Sequence, residues 1–352
     1  MPPVDNRIFM DHERVLNTHD ANSDMASSSE PWSVEKYCER IRVEIVNETS
    51  DGMELEFDLI GVEAPIANAL RRVLLAEVPT MAIEKIYMYQ NTSLIQDEVL
   101  SHRLGLLPIR VDPRKFAFPL TKTIGINESG VDCDSEPPGD PKYNVIFELK
   151  VKCTKNPTAP KDATEPKDVF INSSVYSSEF TWCPIGDQET ELLPHPAMVH
   201  DDILVAKLRP GQEIEARCHC VKGLGRDHAK FSPVCTATYR LLPIIKIKEE
   251  IKGEAAHLFQ KSFSDGVIAI NVNSNGEEVA VVQDARRDLC SRNVLIHEEL
   301  ASKVELSRQR DHFMFSVESS GALRSSDLVV EACKVLEEKT RDLRRLVSSV
   351  IR

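Results

Sequence analysis

The first regular pattern in the chain is a strict alternation of apolar and charged residues that begins near position 40. The alternating residues are Ile41, Arg42, Val43, Glu44 and Ile45. Residues 53–59 alternate in the same way, and Asp51 and Gly52 precede them. Because these two residue types tolerate positive φ, they favour a tight turn. The pattern therefore predicts two half-buried antiparallel strands joined by a hairpin.

The period becomes helical between Pro65 and Pro79, since proline fits a first helical turn but cannot continue a helix interior. The apolar positions of this segment lie three and four residues apart and form one stripe: Ile66, Leu70, Val73 and Leu74. An amphipathic helix is therefore expected directly after the hairpin.

The middle of the chain is predicted to be rich in strands. A strand is expected at 80–89 and a short helix at 97–104, and 111–141 is rich in Pro, Asp, Gly and Ser, which is typical of a loop. Alternation returns in three later segments: 143–151, 203–208 and 214–220. These segments predict a β-rich middle domain.

The C-terminal region combines a strand near Phe313 with a long helix from about Asp327 to Ser349. Apolar residues recur in this helix every seven positions: Val329, Leu336, Leu343 and Val350. Such a stripe can pack on another helix or cover the sheet of its own chain, and the pattern does not decide between the two.

Composition narrows the class of protein. The 352 residues suffice for two domains, and the net charge of −13 disfavours a protein that neutralises phosphates. The N-terminus is polar and no apolar run would cross a bilayer, so an intracellular protein without a membrane partner is expected. Nine scattered cysteines, an odd number, favour a reducing compartment.

No candidate for a catalytic or metal-binding site in the sequence is supported by a second motif. Cys218-His219-Cys220 lacks the second ligand pair of a zinc site, and both cysteines share strand parity with the apolar residues, so we expect buried thiols with His219 on the other face. Two pairs of aspartates could hold a metal ion. Asp132 and Asp134 lie in a predicted loop and Asp201 and Asp202 lie just before a predicted strand, so we interpret both pairs as solvated turn residues. We therefore expect no catalytic residue, no cofactor and no metal ion.

Three segments, in order, resemble the alpha family of multisubunit RNA polymerases. They are 67–80 (ANALRRVLLAEVPT), 97–109 (DEVLSHRLGLLPI) and 223–233 (GLGRDHAKFSP). Two more resemble the alpha-like branch shared by RNA polymerases I and III: 199–204 (VHDDIL) and 208–213 (LRPGQE). The polymerase II branch carries a cysteine-rich zinc loop, but 81–142 holds only Cys133, so the resemblance favours polymerases I and III, with polymerase II as the alternative.

The resemblance implies an α+β fold in which a split α/β dimerisation domain is interrupted by an inserted β-rich domain. The corresponding ranges are a mobile N-terminal arm at 1–39, the first segment of the dimerisation domain at 40–80, the insertion at 81–236, and the second segment of the dimerisation domain, with the long helix, at 237–352. The first and last helices are expected to bind a smaller alpha-like subunit. The residues implied for the core and the dimer interface of these helices are Ile66, Leu70, Val73, Val329, Leu336 and Leu343.

By the same resemblance, a second set of residues is expected to dock the second-largest polymerase subunit: Arg71, Arg72, Lys222, Arg226, His228 and Lys230. The two arginines are consecutive, so they point about 100° apart on the helix and at least one leaves the apolar stripe. The segment 223–233 is expected to approach another backbone closely through its glycines. A solvated hairpin connection is the alternative.

The function implied is a non-catalytic assembly subunit of nuclear RNA polymerases I and III, located in the nucleus and nucleolus. It would recruit the second-largest subunit and small zinc-binding subunits, without strong direct DNA contact. A free-standing nucleic-acid-binding protein is the alternative from a different class, and the acidic net charge weighs against it.

Overall fold

The computed structural model describes residues 6–18, 33–119, 138–160, 165–274 and 276–350. The α-helices in these ranges are α1 (Val34–Arg40), α2 (Ala64–Ala76), α3 (Asp97–Gly105), α4 (Pro166–Val169), α5 (Gln188–Glu191), α6 (Glu254–Lys261), α7 (Glu298–Ala301) and α8 (Ser325–Val350). None of these helices is both long enough and apolar enough to cross a bilayer.

The strands are β1 (Arg7–Met10), β2 (Val15–Leu16), β3 (Arg42–Glu48), β4 (Glu54–Ile60), β5 (Thr80–Asn91), β6 (Ile109–Arg110), β7 (Val145–Lys152), β8 (Thr154–Lys155), β9 (Phe170–Ile171), β10 (Ser174–Tyr176), β11 (Phe180–Cys183), β12 (Ala197–Met198), β13 (Leu204–Lys207), β14 (Glu213–Gly223), β15 (Val234–Ile247), β16 (Ile268–Val272), β17 (Glu278–Val282) and β18 (Val304–Ser319). The mixture of helices and strands confirms the predicted α+β class.

The chain divides into two compact units. Unit 1 comprises Met1–Asn47, Glu56–Ala69 and Thr238–Ser316, and unit 2 comprises Glu48–Leu55, Leu70–Ala237 and Val317–Arg352. The division at 237/238 lies one residue from a predicted domain boundary. The second half of α2 and the whole of α8 belong to unit 2 with the inserted residues, so the split dimerisation domain stays a prediction.

Unit 1 contains most of a six-stranded sheet in the order β2-β1-β18-β4-β3, with β15 also paired to β18. Aromatic side chains pack on this sheet, and the rings of Phe57 and Phe315 stack at 5.0 Å. A second cluster, around Phe259 and Ile251, lies between α6 and the β16–β17 hairpin, and both residues are fully buried. The apolar face predicted for β4 is confirmed, since Leu55, Phe57 and Leu59 are all buried, but Asp58 of the predicted polar face is buried as well.

The N-terminal arm differs from the prediction of a mobile segment. β1 pairs antiparallel with β18, with Arg7 opposite Gln309 and Met10 opposite Leu306. An ion pair of 3.2 Å between Arg7 and Glu305 supports the pairing. Residues 7–16 are therefore part of the sheet, because β18 offers them a free edge, and a four-residue strand gives little local signal of this.

β3 is not half-buried as predicted. All seven of its residues are exposed, including Val43 and Ile45, which are 60% and 66% exposed. The physical reason is that β3 is the edge strand of the sheet, so alternation gives it an apolar face that no described element of the chain covers.

A buried carboxylate that the sequence analysis did not single out lies in unit 1. Asp58 is 4% exposed and binds both terminal nitrogens of Arg286, at 2.6 and 2.8 Å, and Nε2 of His312 at 2.8 Å. Burial raises the pKa of Asp58, but the hydrogen bonds from Arg286 and His312 outweigh it and hold the pKa below its ordinary value. The network therefore keeps a charge inside the unit.

Unit 2 is built on a four-stranded sheet in the order β11-β7-β14-β5. β14 is one of its two inner strands, paired antiparallel with both β5 and β7. The main core lies on this sheet and includes the fully buried side chains of Phe147, Leu149 and Ile214. The strands predicted at 80–89, 143–151 and 214–220 and the helix predicted at 97–104 are thereby confirmed.

Candidate docking surface

The loop from Gly223 to Pro233 lies against the C-terminal end of α2 within unit 2. The backbone N–H of Arg226 donates to the carbonyl oxygen of Ala76 at 3.0 Å. Gly225 has no room for a side chain, since a Cβ atom there would lie 2.4 Å from the carbonyl oxygen of Leu75. The predicted close backbone approach is confirmed for Gly225, and it fixes the loop on the helix.

Two arginines are exposed where the loop meets α2. Arg72 is exposed and lies one helical turn before the Leu75–Ala76 contact, on the same side of the helix, because residues three and four apart share a helix face. The Arg226 side chain is 65% exposed, and its ion pair with the neighbouring Asp227 is long, at 3.7 Å. Arg71 is half-buried and interacts within the chain.

The two lysines of the predicted docking set point into the chain. Lys230 Nζ donates to the carbonyl oxygen of Ile83 at 2.9 Å and lies 2.5 Å from Oε2 of Glu84. Lys222 Nζ donates to the carbonyl oxygen of Phe116 at 2.9 Å, and burial lowers the pKa of Lys222. The amines of Lys222 and Lys230 already bind acceptors of the chain itself, and their docking role stays a prediction.

His228 remains an exposed member of the predicted set. Its Nδ1 accepts a hydrogen bond from the backbone N–H of Lys230 at 3.1 Å, which leaves Nε2 to carry the proton of the neutral ring. The ring also meets the ring of His102 edge-on, with 6.4 Å between centroids. Arg72, Arg226 and His228 are therefore the exposed groups of this surface, hereafter the basic surface.

The apolar stripe of α2 mostly faces its own chain. Leu70 and Val73 are 7% and 3% exposed, and Leu74 is fully buried, whereas Ile66 is 43% exposed. Leu70 and Val73 therefore belong to the core of the chain, as predicted, and their contact with a partner stays a prediction. Of the three interface residues predicted on α2, only Ile66 is available to another molecule.

The exposure of α8 to solvent increases along its length. Leu328 and Ala332 are fully buried, Val329 and Leu336 are half-buried, and every residue from 337 to 350 is exposed. The exposed half carries an apolar stripe at the spacing i, i+3, i+4 and i+7: Leu343, Leu346, Val347 and Val350, which are 62%, 64%, 48% and 83% exposed. This set is called the C-terminal stripe, and Leu343 is its only member among the predicted interface residues.

Two ion pairs hold α8 within unit 2. Lys339 Nζ binds both carboxylate oxygens of Glu77, at 2.9 and 2.8 Å. Arg114 lies 3.7 Å from Glu331. The helix is thereby fixed up to about its midpoint, and the C-terminal stripe lies on the residues that come after these ion pairs.

The cysteine motif of β14 is structural. Cys218 and Cys220 are fully buried, and burial raises the pKa of Cys218 to about 12. His219 lies on the other face, as predicted by strand parity, but it is also buried and meets the ring of Tyr87 edge-on at 5.1 Å. Within the described ranges, no cluster of three or more His, Cys, Asp or Glu side chains could hold a metal ion. Asp201 and Asp202 are exposed, and 132–134 lies outside those ranges.

Comparison with known proteins assigns the chain to a family. The family model described as the RNA polymerase Rpb3/Rpb11 dimerisation domain matches residues 56–340. The subunit of Mus musculus named "DNA-directed RNA polymerases I and III subunit RPAC1" is 47% identical over 330 residues, which cover 93% of this chain and 90% of the mouse protein. The Saccharomyces cerevisiae subunit of the same name is 43% identical over 97% of this chain and 98% of its own length.

A polymerase II relative is more distant. The Dictyostelium discoideum protein named "DNA-directed RNA polymerase II subunit rpb3" is 33% identical over 82% of this chain and 89% of its own length. The polymerase I and III relatives are thus more similar to this chain than the polymerase II relative, in agreement with the sequence motifs. The chain therefore belongs to the RNA polymerase Rpb3/Rpb11 dimerisation-domain family and, within it, groups with the alpha-like subunits named for polymerases I and III.

Proposed function

We propose that this chain is a non-catalytic assembly subunit shared by RNA polymerases I and III. The observation that carries the proposal is the C-terminal stripe, an apolar helix face left exposed in a chain that matches a dimerisation domain over most of its length. Exposed apolar stripes of this kind occur where a partner covers them. The partner we propose is the smaller alpha-like polymerase subunit, which also contacts Ile66.

The basic surface supports a second contact, with the second-largest polymerase subunit. Arg72, Arg226 and His228 offer donors on a chain whose net charge is −13, so they attract acidic groups on a partner while the rest of the surface repels them. Arginine suits this role because its planar guanidinium binds carboxylates in a bidentate manner. Small zinc-binding subunits would join the same assembly.

The mechanism is thermodynamic linkage rather than bond making. Each partner that binds the folded chain stabilises it and prepares the surface for the next partner. The catalytic groups would lie on the largest subunits, and the products would be ribosomal RNA precursors, 5S RNA and transfer RNA. The chain would work in the nucleus, with the polymerase I fraction in the nucleolus.

Affinity purification of the tagged chain from its native cells tests this proposal. The expected result is two polymerase sets that share this chain and the same smaller alpha-like subunit. Recovery of the polymerase II set alone would favour the alternative subunit. Purified chain that binds duplex DNA by itself, with strong salt dependence, would favour the nucleic-acid-binding alternative.

A further inference from the structure

We infer that Arg344 makes α8 specific for a partner helix that carries a carboxylate beside its apolar stripe. This inference deepens the proposed function and rests on it, because it concerns the chemistry of the chain that covers the C-terminal stripe. The partner surface is thereby defined by two features, an apolar stripe and an acidic flank.

The first observation is that the other cations in this half of α8 have acidic partners. Lys339 binds Glu77 at 2.8 Å, and Arg345 binds Asp342 at 3.3 Å. Arg341 is bound by Glu337 one turn earlier: the pair involves Nη2 and Oε1. Each of these charges is therefore compensated within the chain, whatever binds the stripe.

Arg344 is different. Among the described residues its guanidinium has no ion pair and no hydrogen-bond acceptor, and the residue is exposed. The sequence explains why, since the positions within helical reach, three and four residues away, are Thr340, Arg341, Val347 and Ser348. None of them is a carboxylate.

The position of Arg344 places its charge at the edge of the stripe. It follows Leu343 by one residue, which is about 100° around the helix, and it precedes Val347 by three. Its aliphatic stem can therefore lie along the apolar contact while the guanidinium reaches the flank of a partner helix. Partial removal of water on docking strengthens a charge pair at such a site.

A second copy of this chain does not supply the missing carboxylate. Parallel pairing along the stripe places Arg344 opposite Arg344 of the other copy, and like charges repel. Antiparallel pairing about the midpoint of the stripe places Ser349 opposite it. The unpaired arginine thus disfavours self-association and favours a different, acidic chain.

The experiment measures binding of the full-length chain to the co-purified smaller alpha-like subunit at low and high salt. Arg344→Glu is expected to weaken binding about tenfold at low salt, and high salt is expected to reduce this difference. The matched control is Arg345→Glu, which makes the same charge change at the neighbouring position, about 100° further around the helix, and it should change affinity less than about twofold.

Three results would contradict the inference about Arg344. Equal weakening by Arg344→Glu and Arg345→Glu, or none by either, overturns the inference while the proposed function stands, provided that Leu346→Asp still abolishes binding. Normal binding by Leu346→Asp overturns both. A dimer of the isolated chain in light scattering that Leu346→Asp abolishes identifies a second copy as the occupant and overturns the inference.

Discussion

The helices α2 and α8 carry the same kind of sequence pattern and use it in different ways. In α2 the apolar residues from Leu70 to Leu74 are buried by the chain itself, whereas in α8 the C-terminal stripe is exposed. An amphipathic pattern thus shows that a helix has an apolar face, but not which molecule covers that face. α2 is expected to determine the stability of the chain, and the end of α8 its assembly.

The largest effect is expected from a leucine-to-alanine substitution made once in each helix, which separates the role in stability from the role in assembly. Leu74→Ala is expected to lower the free energy of unfolding by about 2–5 kcal/mol, because it leaves a cavity in the core. Leu346→Ala should change it by less than about 0.5 kcal/mol, since the side chain is 64% exposed, but should weaken partner binding. Denaturant titration of the isolated chain measures the first quantity, and equal losses would contradict the comparison.

A smaller effect is expected where the loop meets α2. Gly225→Ala would drive a Cβ atom into the carbonyl oxygen of Leu75, so the loop must shift, at a cost of about 1–3 kcal/mol. We expect reduced recovery of the second-largest subunit with normal recovery of the smaller alpha-like subunit. The matched control is Gly105→Ala, where the nearest atom, the carbonyl oxygen of Ile83, would lie at 3.6 Å in ordinary contact. Loss of both partners with Gly225→Ala would show that the loop supports the fold rather than docking.

The smallest effect concerns the ion pair that joins the end of α2 to α8. Glu77→Gln removes the partner of Lys339, whose side chain is 55% exposed, so solvent screening limits the loss of stability to about 1 kcal/mol or less. Thermal unfolding at low and high salt measures it, and the difference should shrink as salt rises. A loss above about 2 kcal/mol would mean that this pair, rather than the apolar core, determines how α8 is held.

Local periodicity predicted most of the regular elements. β4 and β14 follow from alternation, and α2 and α8 follow from the helical spacing of apolar residues between helix-breaking signals. The hairpin turn was predictable as well, because Gly52 adopts a φ of +72° that other residues disfavour. These features depend on neighbours in sequence, so the sequence shows them directly.

Features that depend on distant residues could not be predicted in this way. β1 exists because it pairs with β18, which lies near the other end of the chain, and the exposure of β3 depends on its place at the sheet edge. The docking residues show the same limit. Lys222 and Lys230 read as free cations in the sequence, but the fold brings the carbonyl oxygens of Phe116 and Ile83 to their amines.

The buried thiols of β14 make the interior of unit 2 chemically inert while it is folded. A thiol with a pKa of about 12 is about one part in 10⁵ thiolate at pH 7, and the thiolate is the form that reacts with electrophiles and peroxides. Cys38 is exposed and open to alkylating dyes, whereas Cys218 and Cys220 are fully buried. Delayed labelling of these two positions would therefore time the opening of the sheet, and oxidative damage would begin elsewhere on the molecule.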